Sequence, residues 1–287
     1  ATTPCQAAVA NEDPELAVAA ETRACTCATA EGTTTESTQT CLEDGSGFGD
    51  CNCPCNTESA RWITTYGREG RWFADISEYL PLYSRGGDMR IRFTPGNGGY
   101  VTTLRFWLTN RDKPDRADEM HALFTGGGFG ETYNDKYEPI TIDIPADVSR
   151  VSLVALISGH GWGTELANCA EFCNHTHHFN VGGDEYVRTH DQHFFVGSSQ
   201  GCASMVSYGV VPNQYGTWPI GRAGWCPGME VPPWVADVTP SITPGESITI
   251  TYQGLFQGET YIPQPNPNAS GGFGANVHMT SWLVFHR

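Results

Sequence analysis

The chain has 287 residues, of which 39% are hydrophobic and 17% charged, with 33 Gly, 18 Pro and 11 Cys. That hydrophobic share supports real cores, the Gly and Pro follow no fixed period, and no window approaches the roughly 18 consecutive apolar residues that span a bilayer. Collagen-like, wholly disordered and helix-spanning chains are therefore excluded, and a soluble protein of one large or two modest domains is expected, acting as a monomer. Sixteen Lys+Arg against 32 Asp+Glu leave a formal charge of −16, which repels polyphosphates and anionic surfaces, so nucleic acid is not expected as a partner.

Residues 1–60 hold Cys5, Cys25, Cys27, Cys41, Cys51, Cys53 and Cys55 and few large apolar side chains, the composition of a loop-rich segment stapled by disulfides. The run Cys51-Asn52-Cys53-Pro54-Cys55 offers a soft-metal alternative, because alternate residues of an extended strand share a face. Cysteine usage and the small-residue start Ala1-Thr2-Thr3-Pro4 point to an exported protein, secreted, periplasmic or at the cell surface. The odd Cys count leaves one thiol free, metal-bound or paired between chains.

From residue 61 the pattern is of short strands rich in β-branched and aromatic residues: 89–93, 102–109, 140–144, 151–158, 177–181, 248–256 and 277–286. Turn signals such as Pro95-Gly96-Asn97-Gly98-Gly99 and Gly182-Gly183-Asp184 separate them. This is an all-β chain. The polar stretch Asn110–Glu119 has the composition of a linker, which places a domain boundary near 115. The expected organisation is a Cys-rich segment 1–60, the remainder of a first antiparallel β-sandwich at 61–115, and a second sandwich at 116–287 that carries the site.

All nine His lie at position 121 or later, and the densest stretch is Cys169-Ala170-Glu171-Phe172-Cys173-Asn174-His175-Thr176-His177-His178. In an extended chain Glu171, Cys173, His175 and His177 share a face, and His-x-His on one strand presents two nitrogens to one ion; imidazole suits copper, zinc, iron and nickel. The competing reading is exposed polar His on an edge strand.

The runs Ile157-Ser158-Gly159, Cys169-Ala170-Glu171-Phe172-Cys173, Thr176-His177, Gly201-Cys202 and Arg222-Ala223-Gly224-Trp225-Cys226-Pro227-Gly228-Met229 resemble the peptide N-glycosidase F family, amidases that release N-glycans. Weaker similarity at Arg61-Trp62-Ile63-Thr64-Thr65-Tyr66 and Asp75-Ile76-Ser77 extends the likeness over roughly 61–287. The resemblance implies two jelly-roll sandwiches side by side and the disulfides Cys169–Cys173 and Cys202–Cys226. It also implies a catalytic Asp with two assisting Glu. One Glu falls on Glu171; the second falls on Thr94, which cannot ionise. The Asp position falls on Gly45, one residue from Asp44. An amidase built on this chain would therefore recruit Asp44 or Asp50.

The implied fold is shared with peptidylglycine α-hydroxylating and dopamine β-monooxygenases, and here His175-Thr176-His177-His178 is similar to their copper-binding His-Thr-His-His motif. Met279, on a late strand, stands where those enzymes place a thioether ligand. That likeness implies one copper ion, cycling between Cu(I) and Cu(II), on His175, His177 and Met279, with Glu171 as a nearby proton donor. The reading that follows is an oxygen- or peroxide-dependent oxidoreductase acting on a peptide or small organic substrate. N-glycan amidase on a glycopeptide, using Glu171, is the alternative, and copper binding or storage without turnover is a third. No His precedes position 121, so the first-domain copper of those enzymes has no counterpart. Of the other candidates, His160 is a supporting donor near the ion or a surface turn residue, while His190 and His193 are solvated loop residues. His278 faces away from Met279, and Arg222 and Trp225 line a substrate cleft or pack around the Cys202–Cys226 bridge. Gly126-Gly127-Gly128 lacks the Lys and helix of a phosphate loop.

Overall fold

The computed structural model describes residues 57–84, 91–94, 100–109, 116–191 and 195–287, together with the backbone of 22–28 and 34–40. The chain divides into two compact units, Ala1–Glu58 and Ser59–Arg287. In the first, strands β1 (Thr22–Ala28) and β2 (Thr34–Thr40) pair antiparallel. The proposed soft-metal run Cys51–Cys55, Asp44, Gly45 and Asp50 lie outside the described residues.

The second unit is mostly β, as the sequence implies. After β3 (Arg61–Trp62) and the short helix α1 (Leu80–Ser84) come β4 (Ala117–Gly128), β5 (Ile140–Asp143), β6 (Arg150–Trp162), β7 (His175–Val181) and β8 (Asp184–Arg188). They are followed by β9 (Glu230–Val231), β10 (Trp234–Asp237), β11 (Ser247–Phe256) and β12 (Phe273–His286). Two four-stranded antiparallel sheets form, ordered β10-β6-β12-β4 and β5-β11-β7-β8. The chain repeatedly crosses between them, so strands that neighbour each other in a sheet are mostly distant in sequence.

Side-chain alternation explains the packing. On β11, Ile248, Ile250 and Tyr252 are buried while Ser247, Thr249 and Thr251 face out. The inner face of β6 contributes Val151, Leu153, Ala155 and Ile157, and that of β12 contributes Val277, Met279, Leu283 and Phe285, to one core shared with Phe179, Val181 and Tyr252. Strand β6 is buried on its outer face too, where Val154 packs with Tyr79 and Val284, and Leu156 packs with Trp225 and Val231. This is why Leu153–Ile157 reads as an unbroken apolar run rather than an alternating one.

Several boundaries differ from the sequence expectation. The supposed linker Asn110–Glu119 overlaps β4, whose Asp118 and Glu119 belong to an edge strand that, among the described residues, pairs only with β12. The glycines 126–128 end that strand rather than form a loop: a Cβ on Gly126 would lie 1.8 Å from the Val277 carbonyl oxygen, where the β4–β12 register shifts. The described parts of the expected strands 89–93 and 102–109 carry no strand, and several of their large side chains, Trp107 and Leu108 among them, are exposed. The turn Gly182-Gly183 does join two strands. Val181 faces Asp184 across it and both glycines have positive φ (62° and 104°), the requirement of a two-residue hairpin loop.

Candidate functional site

Two groups of polar side chains are buried around the end of β6, one beyond its outer face and one between the sheets.

The outer group centres on Glu171. It lies in a turn rather than an extended strand, with Asn168 and Ala170 both at positive φ (45° and 71°), so the strand alternation expected to align Glu171 with His175 and His177 does not reach it. The Cys169–Cys173 bridge closes this turn, and Cys202–Cys226 ties the segment carrying Arg222 and Trp225. The Glu171 carboxylate accepts from Arg222 Nε at 2.9 Å and from the Gly161 amide at 3.1 Å. Arg222 is 2% exposed and donates its other N–H groups to the Ile220 and Thr217 carbonyls and the Thr217 hydroxyl. Its guanidinium lies 4.9 Å from the Phe172 ring centroid and 4.8 Å from that of Trp225. Burial pushes the Glu171 carboxyl above its usual range, and Arg222 opposes this. Arg222 and Trp225, expected to pack about a disulfide or to line a cleft, are thus tied directly to the catalytic candidate.

His160 stacks on Trp225 (5.2 Å between centroids) and meets His278 at a tilt (4.6 Å, 47°), and Trp225 Nε1 donates to the Gly159 carbonyl at 2.6 Å. The Ser158 hydroxyl bridges His160 Nε2 (2.8 Å) and the guanidinium of Arg61 (2.7 Å). Burial, with the charges of His278, Arg61 and Arg222, lowers the His160 pKa to about 3, so the ring is neutral. Tyr66 sits in the field of both Arg222 and Glu171, and burial raises its hydroxyl pKa. Its backbone is held at φ 53°, a strained value for a tyrosine. His160 and His278 therefore belong to this outer group rather than beside His175.

The inner group is histidine. His175 and His177 point inward from β7, as the alternation predicts, and both are fully buried. His190, expected in solvent, is instead fully buried against them, its backbone amide held by Asn174 Oδ1 at 3.1 Å. One ligand atom from each of the three lies within 4.8 Å of the others. His177 Nε2 and His190 Nε2 are 3.2 Å apart, and His177 Nδ1 is 2.7 Å from the Tyr252 hydroxyl, itself 3.0 Å from that of Tyr133. Burial drives all three imidazoles toward the neutral form, His175 to about 4. His178 alternates outward and meets Glu185 at 3.0 Å. Met279 is 3% exposed on the inner face of β12, in the opposite sheet from β7. His193 lies outside the described residues.

An eight-stranded sandwich with a buried Glu–Arg pair held beside a short disulfide loop defines the class of protein in hand. Residues 129–284 match the family Peptide-N-glycosidase F, C terminal, and the chain belongs to it. A curated relative from Elizabethkingia miricola, peptide-N(4)-(N-acetyl-beta-D-glucosaminyl)asparagine amidase F, is 30% identical over 123 residues. That alignment covers 42% of this chain and 31% of the relative's length. A solved structure of a peptide-N(4)-(N-acetyl-beta-D-glucosaminyl)asparagine amidase gives a TM-score of 0.44 at 20% identity, over 59% of this chain and 53% of the other. PNGF-II gives 0.41 at 16%, over 62% and 31%.

Family membership overturns the copper-oxidoreductase reading. The likeness to copper monooxygenases rested on a four-residue motif and one methionine, whereas the family match runs through most of both sheets.

Proposed function

We propose that this protein is an exported amidase that hydrolyses the side-chain amide of glycosylated asparagine in glycopeptides, with Glu171 as an essential carboxylate. The buried Glu171–Arg222 pair at the strained Asn168–Ala170 turn carries this reading. Holding an ion pair out of water is costly, and the turn, the disulfide and the hydrogen bonds from Gly161 and to Thr217 are all spent on keeping it in place. Membership of the family supports the chemistry, since the curated relative is named for it.

Amide hydrolysis needs a water delivered to the carbonyl carbon, an electrostatic partner for the oxygen that gains charge, and a proton for the departing nitrogen. Glu171 orders the Gly161 amide and the Arg222 guanidinium around it, and Trp225, stacked between Arg222 and His160, supplies an apolar wall. The family's Asp position falls on Gly45, so Asp44 or Asp50 would have to be recruited in its place, and the second Glu position holds Thr94.

Incubation of the full chain with a denatured N-glycoprotein tests this. Free glycan should appear together with aspartate at the former glycosylation site. Glu171→Gln should abolish release while the protein stays folded. Intact glycoprotein after prolonged incubation with the wild-type chain would overturn the proposal.

A further inference from the structure

We infer that His175, His177 and His190 form a binding site for one late first-row transition-metal ion, of the cobalt-to-zinc class, with a structural rather than catalytic role. The inference is independent of the amidase reading, because the imidazoles lie between the sheets and Glu171 is engaged by Arg222 and Gly161.

Hydrogen bonding is the first argument. A fully buried imidazole normally satisfies its nitrogens, since an unmet buried polar atom costs about 1–3 kcal/mol. Yet neither ring nitrogen of His175, nor Nδ1 of His190, has a hydrogen-bond partner. An ion beside these rings would take one lone pair of His175, whose ring nitrogens otherwise meet no partner.

Spacing is the second. Ligands at a tetrahedral zinc bond of about 2.0–2.1 Å lie roughly 3.3 Å apart. The Nε2 atoms of His177 and His190 are separated by 3.2 Å, close to that value. Donor chemistry agrees: three neutral nitrogens favour cobalt, nickel, copper or zinc over calcium or magnesium, which want oxygen.

The surroundings are those of a supported ligand set. A metal-bound histidine commonly donates its second ring N–H to a fixed acceptor, and His177 Nδ1 meets the Tyr252 hydroxyl at 2.7 Å, which Tyr133 holds in turn. Asn174 fixes the His190 backbone. Gly159 brings β6 so near that a Cβ there would lie 2.9 Å from His175 Cε1. An ion at this point would staple the segment after β8 to β7.

The test uses the untagged full chain, stripped with a chelator and dialysed. Titration with zinc or cobalt(II), followed by native mass spectrometry, should show one tightly held ion. Cobalt should give the visible bands of a low-coordinate nitrogen site, and either metal should raise the melting temperature. His190→Asn and His175→Asn should weaken binding by more than the roughly 10–100-fold that follows loss of a merely supporting group, while His178→Asn should leave it unchanged. If a variant does not fold, the wild-type stoichiometry and cobalt spectrum still decide. Absence of a stoichiometric ion in the wild-type protein, or undiminished binding in the folded His190 and His175 variants, would overturn the assignment.

Discussion

At the scale of single residues, the energetics concentrate in a few buried polar groups. Removing one member of a buried pair leaves the other charge uncompensated, so Glu171→Ala should cost about 3–5 kcal/mol in chemical denaturation, whereas Glu171→Ala combined with Arg222→Met should recover part of that loss. A penalty for Glu171→Ala no larger than that of an exposed-site substitution would show that the pair is not the anchor described here. The imidazoles set a pH dependence. Burial places the His175 pKa near 4 in the folded chain, against 6.5 unfolded, and lowers those of His177 and His190 as well. Between these values the unfolded chain binds more protons, so their contribution to stability is complete above about pH 6.5 and is lost as pH falls toward 4. The metal-free protein should therefore melt progressively lower across that window. Replacing His175 by Gln should flatten the dependence, which calorimetry at several pH values will read.

At the scale of elements, close backbone approach decides what is tolerated. A Cβ on Gly159 would lie 1.8 Å from the Ala170 carbonyl oxygen, so Gly159→Ala must push β6 away from the turn that aims Glu171. The substitution should cost roughly 1–3 kcal/mol and reduce amidase activity more than stability alone explains; thermal unfolding and glycan-release rates on the same sample separate the two effects. The two disulfides among the described residues should differ. Cys202–Cys226 links residues 24 apart and Cys169–Cys173 residues four apart, so on chain entropy the former should contribute about 3 kcal/mol and the latter less. Paired Cys→Ser variants compared in urea will show the order. At this scale the sequence was readable where periodicity was clean, as in β11 with its Ile248, Ile250 and Tyr252. It failed at β4, where Asp118, Glu119 and three terminal glycines are admitted because β4 is an edge strand that, among the described residues, pairs with β12 alone.

At the scale of the whole molecule, Ser59–Arg287 is a compact unit with its own core and both disulfide-tied segments of the site. A fragment of these residues should unfold in a single cooperative transition and keep the His175–His177–His190 cluster. If Asp44 or Asp50 supplies the second carboxylate, the same fragment should lack glycan release that the full chain performs. Calorimetry and the glycoprotein assay on the two proteins check both expectations. Among the described residues no helix is long and apolar enough to cross a membrane.

The sequence by itself determined the β class, the inward pairing of His175 with His177 and, through the runs around Glu171 and Arg222, the family, whose resemblance in turn implied the Cys169–Cys173 and Cys202–Cys226 disulfides. Each depends on short-range order: a two-residue period or a contiguous motif. Only the tertiary structure decided that Arg222 closes on Glu171 across 51 positions and that His190 joins the two imidazoles of β7. It also decided that His160 meets Trp225 and His278 on the outer face. Those partnerships arise because β6 is buried on both sides and the chain crosses between sheets, so they depend on which strands lie opposite one another, and local periodicity carries no record of that.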